Sequence, residues 1–291
     1  MIYRKRQELL IGVDELASGL MDDTLRIIDC RFDLMDPAAG LESYLAGHIP
    51  GSVYADLDAD LAAPVQATTG RHPLPDIGVA TETFRRLGVS HETNVVVYDS
   101  AGGAMAARAW WMLRWLGHDR VRILDGGLPC WQAAERPLED GETYVEPGDL
   151  MATPNDEPVV TTEEVVAGLE TGGDLLLVDA RDGARFRGEL EPIDTVAGHI
   201  PGTRNLPFTE ALNEDGTFRP EEELEALWEG ILGESKDVAW AAMCGSGVTA
   251  CHLAISALLA GYREPGVYVG SWSEWIRNPD RPVEAGTALD T

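Results

Sequence analysis

The run Val238-Ala239-Trp240-Ala241-Ala242-Met243 ends on Cys244-Gly245-Ser246-Gly247-Val248-Thr249 and then takes on helical periodicity. A thiol between an apolar strand and the first turn of a helix meets unpaired backbone N–H groups and the positive end of the helix dipole. Both favour thiolate over thiol, so Cys244 is expected to be a nucleophile rather than a packing residue. Gly245 and Gly247 let the backbone curl around the sulfur. The amides from there through Val248 and Thr249 then form a cradle for an anion.

Such a loop needs a sheet to hold it. Short apolar runs at 25–28, 95–98 and 121–124 alternate with helical patterns at 81–87 and 104–116. That alternation predicts α/β units around mainly parallel sheets, whose sites form at the carboxyl ends of strands. The pattern also occurs twice. Gly47-His48-Ile49-Pro50-Gly51 returns as Gly198-His199-Ile200-Pro201-Gly202, and Ile28-Asp29-Cys30-Arg31 as Val178-Asp179-Ala180-Arg181. Gly117-His118 through Trp131 parallels Gly261-Tyr262 through Trp275. The chain therefore reads as a duplication, with a first domain at 1–143, a linker at 144–158 and a second domain at 159–291. The linker is marked by prolines and acids without hydrophobic periodicity. Where the second copy has Cys244 the first has Asp99, which cannot act as a soft nucleophile. One domain is expected to react and the other to support it.

Composition narrows the partners. The 291 residues carry a formal net charge of -28. That balance argues against nucleic acid and against anionic membrane surfaces, and no stretch is apolar enough for a membrane span. Arg4, Lys5 and Arg6 precede a short apolar run that Asp14 and Glu15 interrupt, so no signal peptide is expected. Four cysteines, Cys30, Cys130, Cys244 and Cys251, are too few for a disulfide scaffold and lack metal-ligand spacing. A reducing cytoplasm and no bound metal are the expectations.

Taken together, Gly47-His48-Ile49-Pro50-Gly51 and its repeat, Arg108-Ala109-Trp110-Trp111-Met112-Leu113-Arg114, Cys244 through Ala250, and Gly270-Ser271-Trp272-Ser273-Glu274-Trp275 resemble the two-domain rhodanese and 3-mercaptopyruvate sulfurtransferase family. Val269 stands where that C-terminal signature usually has an acidic or small residue. The resemblance covers nearly the whole chain and implies tandem rhodanese-like domains. It also implies ping-pong transfer of a sulfane sulfur through a Cys244 persulfide, with no metal or organic cofactor. The partners it implies are a small-molecule sulfur donor and a thiophilic acceptor: cyanide, a thiol or a thioredoxin-like protein.

The same resemblance implies roles for other residues. Gly245 and Ser246 are neutral where thiosulfate enzymes usually carry basic residues, a pattern similar to mercaptopyruvate enzymes. In those, a serine hydroxyl and a histidine from the first domain assist proton transfer. By motif position these are Ser246 and His48, with Asp36 as the candidate aspartate. Arg185 occupies the substrate-arginine position and can bind a carboxylate bidentately. The second arginine of the animal enzymes is replaced by Asp194, as in thiosulfate enzymes, and Arg71 is the candidate to supply that cation from the first domain. The reading is a 3-mercaptopyruvate sulfurtransferase, with thiosulfate:cyanide sulfur transfer or persulfide delivery to a partner protein as alternatives. A cysteine phosphatase shares the loop-before-helix design. At the position where it needs a phosphate-binding arginine, this chain has Ala250.

Overall fold

A computed structural model describes residues 5–154, 159–171 and 175–286. The start of the chain at 1–4 and the last part of the expected linker, 155–158, lie outside the described residues.

Among the described residues, ten strands form two five-stranded sheets, with every strand pairing parallel. The first contains β1 (Leu10–Ile11), β2 (Leu25–Asp29), β3 (Ser52–Tyr54), β4 (Asn94–Tyr98) and β5 (Val121–Leu124), in the order β1-β5-β4-β2-β3. The second contains β6 (Val159–Val160), β7 (Leu176–Asp179), β8 (Arg204–Asn205), β9 (Trp240–Met243) and β10 (Gly266–Tyr268), in the order β6-β10-β9-β7-β8. The two orders are the same path traced twice. Strands buried on both faces need continuous apolar runs rather than alternation, and Val95 to Tyr98 and Trp240 to Met243 are buried throughout.

In each sheet the connections change direction between the central strands, β2 and β4 in the first and β7 and β9 in the second. The crevice at their carboxyl ends is where such sheets bind ligands. The register sets Asp29 beside Tyr98 and Asp179 beside Met243, so Cys244 emerges next to the end of β7.

The helices that follow the two central strands, Ala106–Trp115 and Thr249–Leu259, pack against one another between the sheets. Apart from Arg114, the first is buried along its whole length, and the second from Ala250 onward. A helix buried on every side has no solvent face, and here each helix covers its own sheet with one side and the other repeat with the opposite side. A single apolar cluster therefore runs from Leu113 and Trp110 of one repeat to Leu253 and Ile255 of the other. Truncating a leucine in that seam is expected to cost about 2–5 kcal/mol. Polar ties reinforce it: Arg114 clasps Glu264 with contacts of 2.9 and 2.7 Å, and Arg6 donates to the carbonyls of Phe218 and Arg219. The described part of the linker lies on the first repeat, with Leu150 buried and its N–H bonded to Val89 O.

The matched strand ends carry matched ion pairs. Arg31 binds Asp29 and the carbonyl of Gly47, and Arg181 binds Asp179 and the carbonyl of Gly198. Each ties the end of a strand to the Gly-His-Ile-Pro-Gly turn of its own repeat.

Candidate active site

Cys244 leaves β9 with its residue only 2 % exposed. The chain then bends through Gly247, whose φ of +77° lies in the left-handed region. A Cβ there would stand 2.4 Å from the carbonyl oxygen of Val269, so only glycine fits. The bend points the Gly247 N–H at Cys244 Sγ, 3.1 Å away. The loop is braced from behind by the 270–275 segment: Ser271 Oγ accepts the Cys244 N–H at 3.1 Å, and the N–H groups of Trp272 and Ser273 donate to the carbonyls of Cys244 and Gly245. The C-terminal signature thus acts on the loop's backbone, which explains why the two motifs occur together.

The equivalent loop of the first repeat shows what such a cradle holds. Asp99 Oδ1 accepts the N–H groups of Ala101 and Gly103 at 2.7 and 2.9 Å, and Oδ2 those of Met105 and Ala106 at 2.7 and 2.9 Å. The carboxylate is an internal anion that fills its own loop. In the second repeat the Cys244 sulfur takes the N–H of Gly247 in the equivalent place.

The first repeat reaches this loop through the segment between β3 and the helix Ile77–Arg86. His72 Nδ1 lies 2.7 Å from Ser246 Oγ, and its Nε2 lies 3.1 Å from Asp58 Oδ1. With Asp58 accepting from Nε2–H, Nδ1 is the acceptor and the Ser246 hydroxyl donates to it. The imidazole is buried, while the Asp58 side chain is 51 % exposed. Burial, with the charges of Arg108 and Arg71, lowers the His72 pKa to about 3, so the ring is neutral. Burial and the nearby Asp56 push Asp58 above the ordinary carboxylate value.

These contacts correct two expectations. His48 does not approach Ser246. Its Nδ1 meets Tyr44 O at 2.8 Å, its Nε2 meets Thr143 Oγ1 at 3.2 Å, and its ring stacks on Tyr44. His199 does the same in the second repeat, with Nδ1 on Phe186 O and its ring stacked on Phe186. Both histidines also pair through their backbones with a distant segment, His48 with Glu139 and His199 with Glu284. They are clasps of the fold. Asp36 is exposed in the turn before the helix Ala38–Ala46, where its backbone bonds Asp33 and Ala39. The group against Ser246 is instead His72, with Asp58 behind it on the far ring nitrogen, and sequence reasoning missed both. The available signal was that His72 adjoins Arg71 and has no partner in the repeated motifs, whereas His48 has one.

The two arginines expected at the mouth do converge. Beside Gly245, a Cβ would stand 2.8 Å from Arg71 Nη2 and 3.7 Å from Arg185 Nη2. Neither cation is free of carboxylate. Asp194 bridges them, with Oδ1 against Arg71 and Oδ2 3.0 Å from Arg185, and Glu191 clasps Arg185 at 2.7 Å. Burial holds Asp194 above the ordinary carboxylate range despite both arginines. Arg71 Nε is buried without a partner among the described residues. Val248 is buried and Thr249 opens the helix. No group of three or more histidine, cysteine or acidic side chains among the described residues could hold a metal ion.

A profile of the rhodanese-like domain matches residues 12–134 and again 161–278. The chain belongs to the rhodanese family. It is 46% identical over 279 residues to a probable 3-mercaptopyruvate sulfurtransferase of Pseudomonas aeruginosa, covering 95% of this chain and 98% of that one. It is 40% identical over 284 residues to a putative thiosulfate sulfurtransferase of Mycobacterium tuberculosis, covering 97% and 99%. The crystal structure of SseA from Escherichia coli, described as a 3-mercaptopyruvate sulfotransferase, superposes with a TM-score of 0.79 at 35% identity, over 91% of this chain and 98% of that one.

Proposed function

We propose that this chain is a sulfurtransferase that takes the sulfur of 3-mercaptopyruvate onto Cys244 and passes it, as a persulfide, to a thiophilic acceptor. The observation that carries this reading is the contact of Ser246 with His72, supported by Asp58. Sulfur transfer from thiosulfate moves no proton: a thiolate attacks the outer sulfur, the S–S bond breaks, and sulfite leaves with the electron pair. Transfer from mercaptopyruvate does. The Cys244 thiolate bonds to the substrate sulfur, the C–S bond breaks, and its electron pair passes to carbon as the enolate of pyruvate. The substrate's thiol proton must leave sulfur and arrive at that carbon.

Ser246 Oγ can accept that proton as its own moves toward His72. Burial disfavours the protonated imidazole, which favours return of the proton to the enolate. The charge at the mouth agrees. Two arginines face two carboxylates, Asp194 and Glu191, a balance suited to a single substrate carboxylate rather than a dianion. The unpaired Arg71 Nε is a remaining donor for it. The persulfide anion then takes the place that the Asp99 carboxylate holds in the first repeat.

The acceptor belongs to the thiol or cyanide class, and a thioredoxin-like protein is a candidate for the physiological one. No helix among the described residues is long and apolar enough to cross a membrane. The four free cysteines, three of them buried, fit a reducing compartment and support a cytoplasmic assignment. The deciding experiment is steady-state kinetics with 3-mercaptopyruvate and thiosulfate side by side, cyanide as acceptor and pyruvate release followed directly. A kcat/KM about tenfold higher for mercaptopyruvate is expected. The reverse order overturns the donor assignment.

A further inference from the structure

Among the described residues, three arginines are buried: Arg31, Arg181 and Arg108. The first two each grip an aspartate. Arg108, 0 % exposed in the helix Ala106–Trp115, has no carboxylate among the described residues. Its guanidinium donates to three main-chain carbonyls, each at 3.3 Å: Nε to Leu61, Nη1 to Gly247 and Nη2 to His72. Carbonyl dipoles offset part of the cost of removing a cation from water. A net charge so deep still calls for an opposite charge nearby.

The anion within reach is sulfur. Gly247 accepts Arg108 with its carbonyl and gives its N–H to Cys244 Sγ. Burial disfavours the charged guanidinium, whereas negative charge on Cys251 or Cys244 and a hydrogen bond to the Cys251 sulfur favour it. Cys251 does not supply that charge at neutral pH, because burial pushes its thiol up to about 12. Cys244 remains.

We propose that Arg108 is the resident counter-cation of the catalytic loop. It is a positioning residue that grips Gly247 and His72 by their carbonyls and keeps negative charge on the Cys244 sulfur. This inference rests on the reading of Cys244 as the sulfur carrier.

The other groups around the sulfur do not duplicate this role. Ser246 and Ser271 offer neutral hydroxyls, and His72 and Cys251 are uncharged at neutral pH. Asp58 lies behind His72. Arg71 and Arg185 stand on the open side, partly exposed, with Asp194 and Glu191 opposing their charge. Those buried carboxylates already oppose both cations, whereas Arg108 faces no carboxylate among the described residues and acts from the dry side.

The test is alkylation of Cys244 by iodoacetamide across pH 5 to 9 in the full-length protein, read by mass spectrometry. Arg108→Gln is expected to slow alkylation at pH 7 about tenfold and to move the half-maximal pH upward by about one unit. A folded Arg108→Gln protein with the parental pH profile overturns the proposal. The unmodified protein gives a reading that needs no variant. Between low salt and about 1 M NaCl the half-maximal pH should move by less than about 0.3 unit, because a buried cation is little screened. A movement of about one unit would assign the charge to Arg71 and Arg185 instead. Failure of the donor to add one sulfur atom's mass at Cys244 would sink the catalytic reading and leave the alkylation result standing, so the two failures are distinct.

Discussion

Ser246 and His72 meet at 2.7 Å across the boundary between the repeats, so neither half of the chain contains the proton relay by itself. Ser246→Ala removes the hydroxyl without disturbing a charge. It should lower kcat/KM for 3-mercaptopyruvate about 100-fold, in the range of general acid–base contributions, and leave thiosulfate turnover within about threefold. His72→Asn should give the same split. Equal losses with both donors would show that the pair serves loop structure rather than proton transfer.

Asp194 sets the charge that a donor meets. It spans Arg71 of the first repeat and Arg185 of the second, so an incoming anion must compete with it for both. Asp194→Asn should lower the KM for thiosulfate, the dianion, by about three- to tenfold, and that for mercaptopyruvate by less. Arg185→Ala should raise KM for both donors with a smaller change in kcat, since it binds ground and transition states alike. Steady-state kinetics on both variants checks this; an unchanged thiosulfate KM in Asp194→Asn would remove Asp194 from the donor site.

The parts of this site that were legible in the sequence are local ones. A cysteine between a buried strand and a helix announces itself within a dozen residues, and the duplication follows from Asp29-Cys30-Arg31 against Asp179-Ala180-Arg181. His72 and Asp58 were not legible, because they come from an irregular segment with no periodicity and His72 meets Ser246 only after the two repeats dock. His48 misled for the opposite reason: its motif is conspicuous because it recurs, and it recurs because each repeat needs the same clasp. Arg108 stood inside a recognised motif, yet the absence of a carboxylate beside it is a property of the folded interior.

Asp99 shows how the first repeat dispenses with chemistry. Its two oxygens satisfy four backbone N–H groups, and the residue is almost completely buried. Asp99→Ala strands those donors and should destabilise the protein by about 2–5 kcal/mol in urea unfolding. Asp99→Asn, which keeps one acceptor oxygen, should cost less. A loss below about 1 kcal/mol for the alanine variant would mean that water reaches the loop and satisfies the amides.

His252 places a pH-sensitive group in the seam between the repeats. It is fully buried on the helix Thr249–Leu259, stacked on Phe218, with Nε2 3.1 Å from the carbonyl of Gly102 and Nδ1 unpartnered among the described residues. Burial lowers its pKa to about 4, against opposing contributions from Gly102 and Asp99. The unfolded chain binds a proton at the ordinary histidine value while the folded chain does not. Stability is therefore full above about pH 6.5 and falls as pH drops from there toward about 4, at up to ~1.4 kcal/mol per pH unit for one proton. His72 adds a second decline of the same sign. Carboxylates held above their ordinary values, Asp58 and Asp194 among them, act in the opposite direction, so the difference between proteins is the useful quantity. Replacing His252 with Gln, which keeps a donor for Gly102, should flatten the stability slope between pH 6.5 and 4.5 by about one proton's worth in urea titrations. A slope identical to the parent's would show that the His252 ring already gains its proton in the folded state.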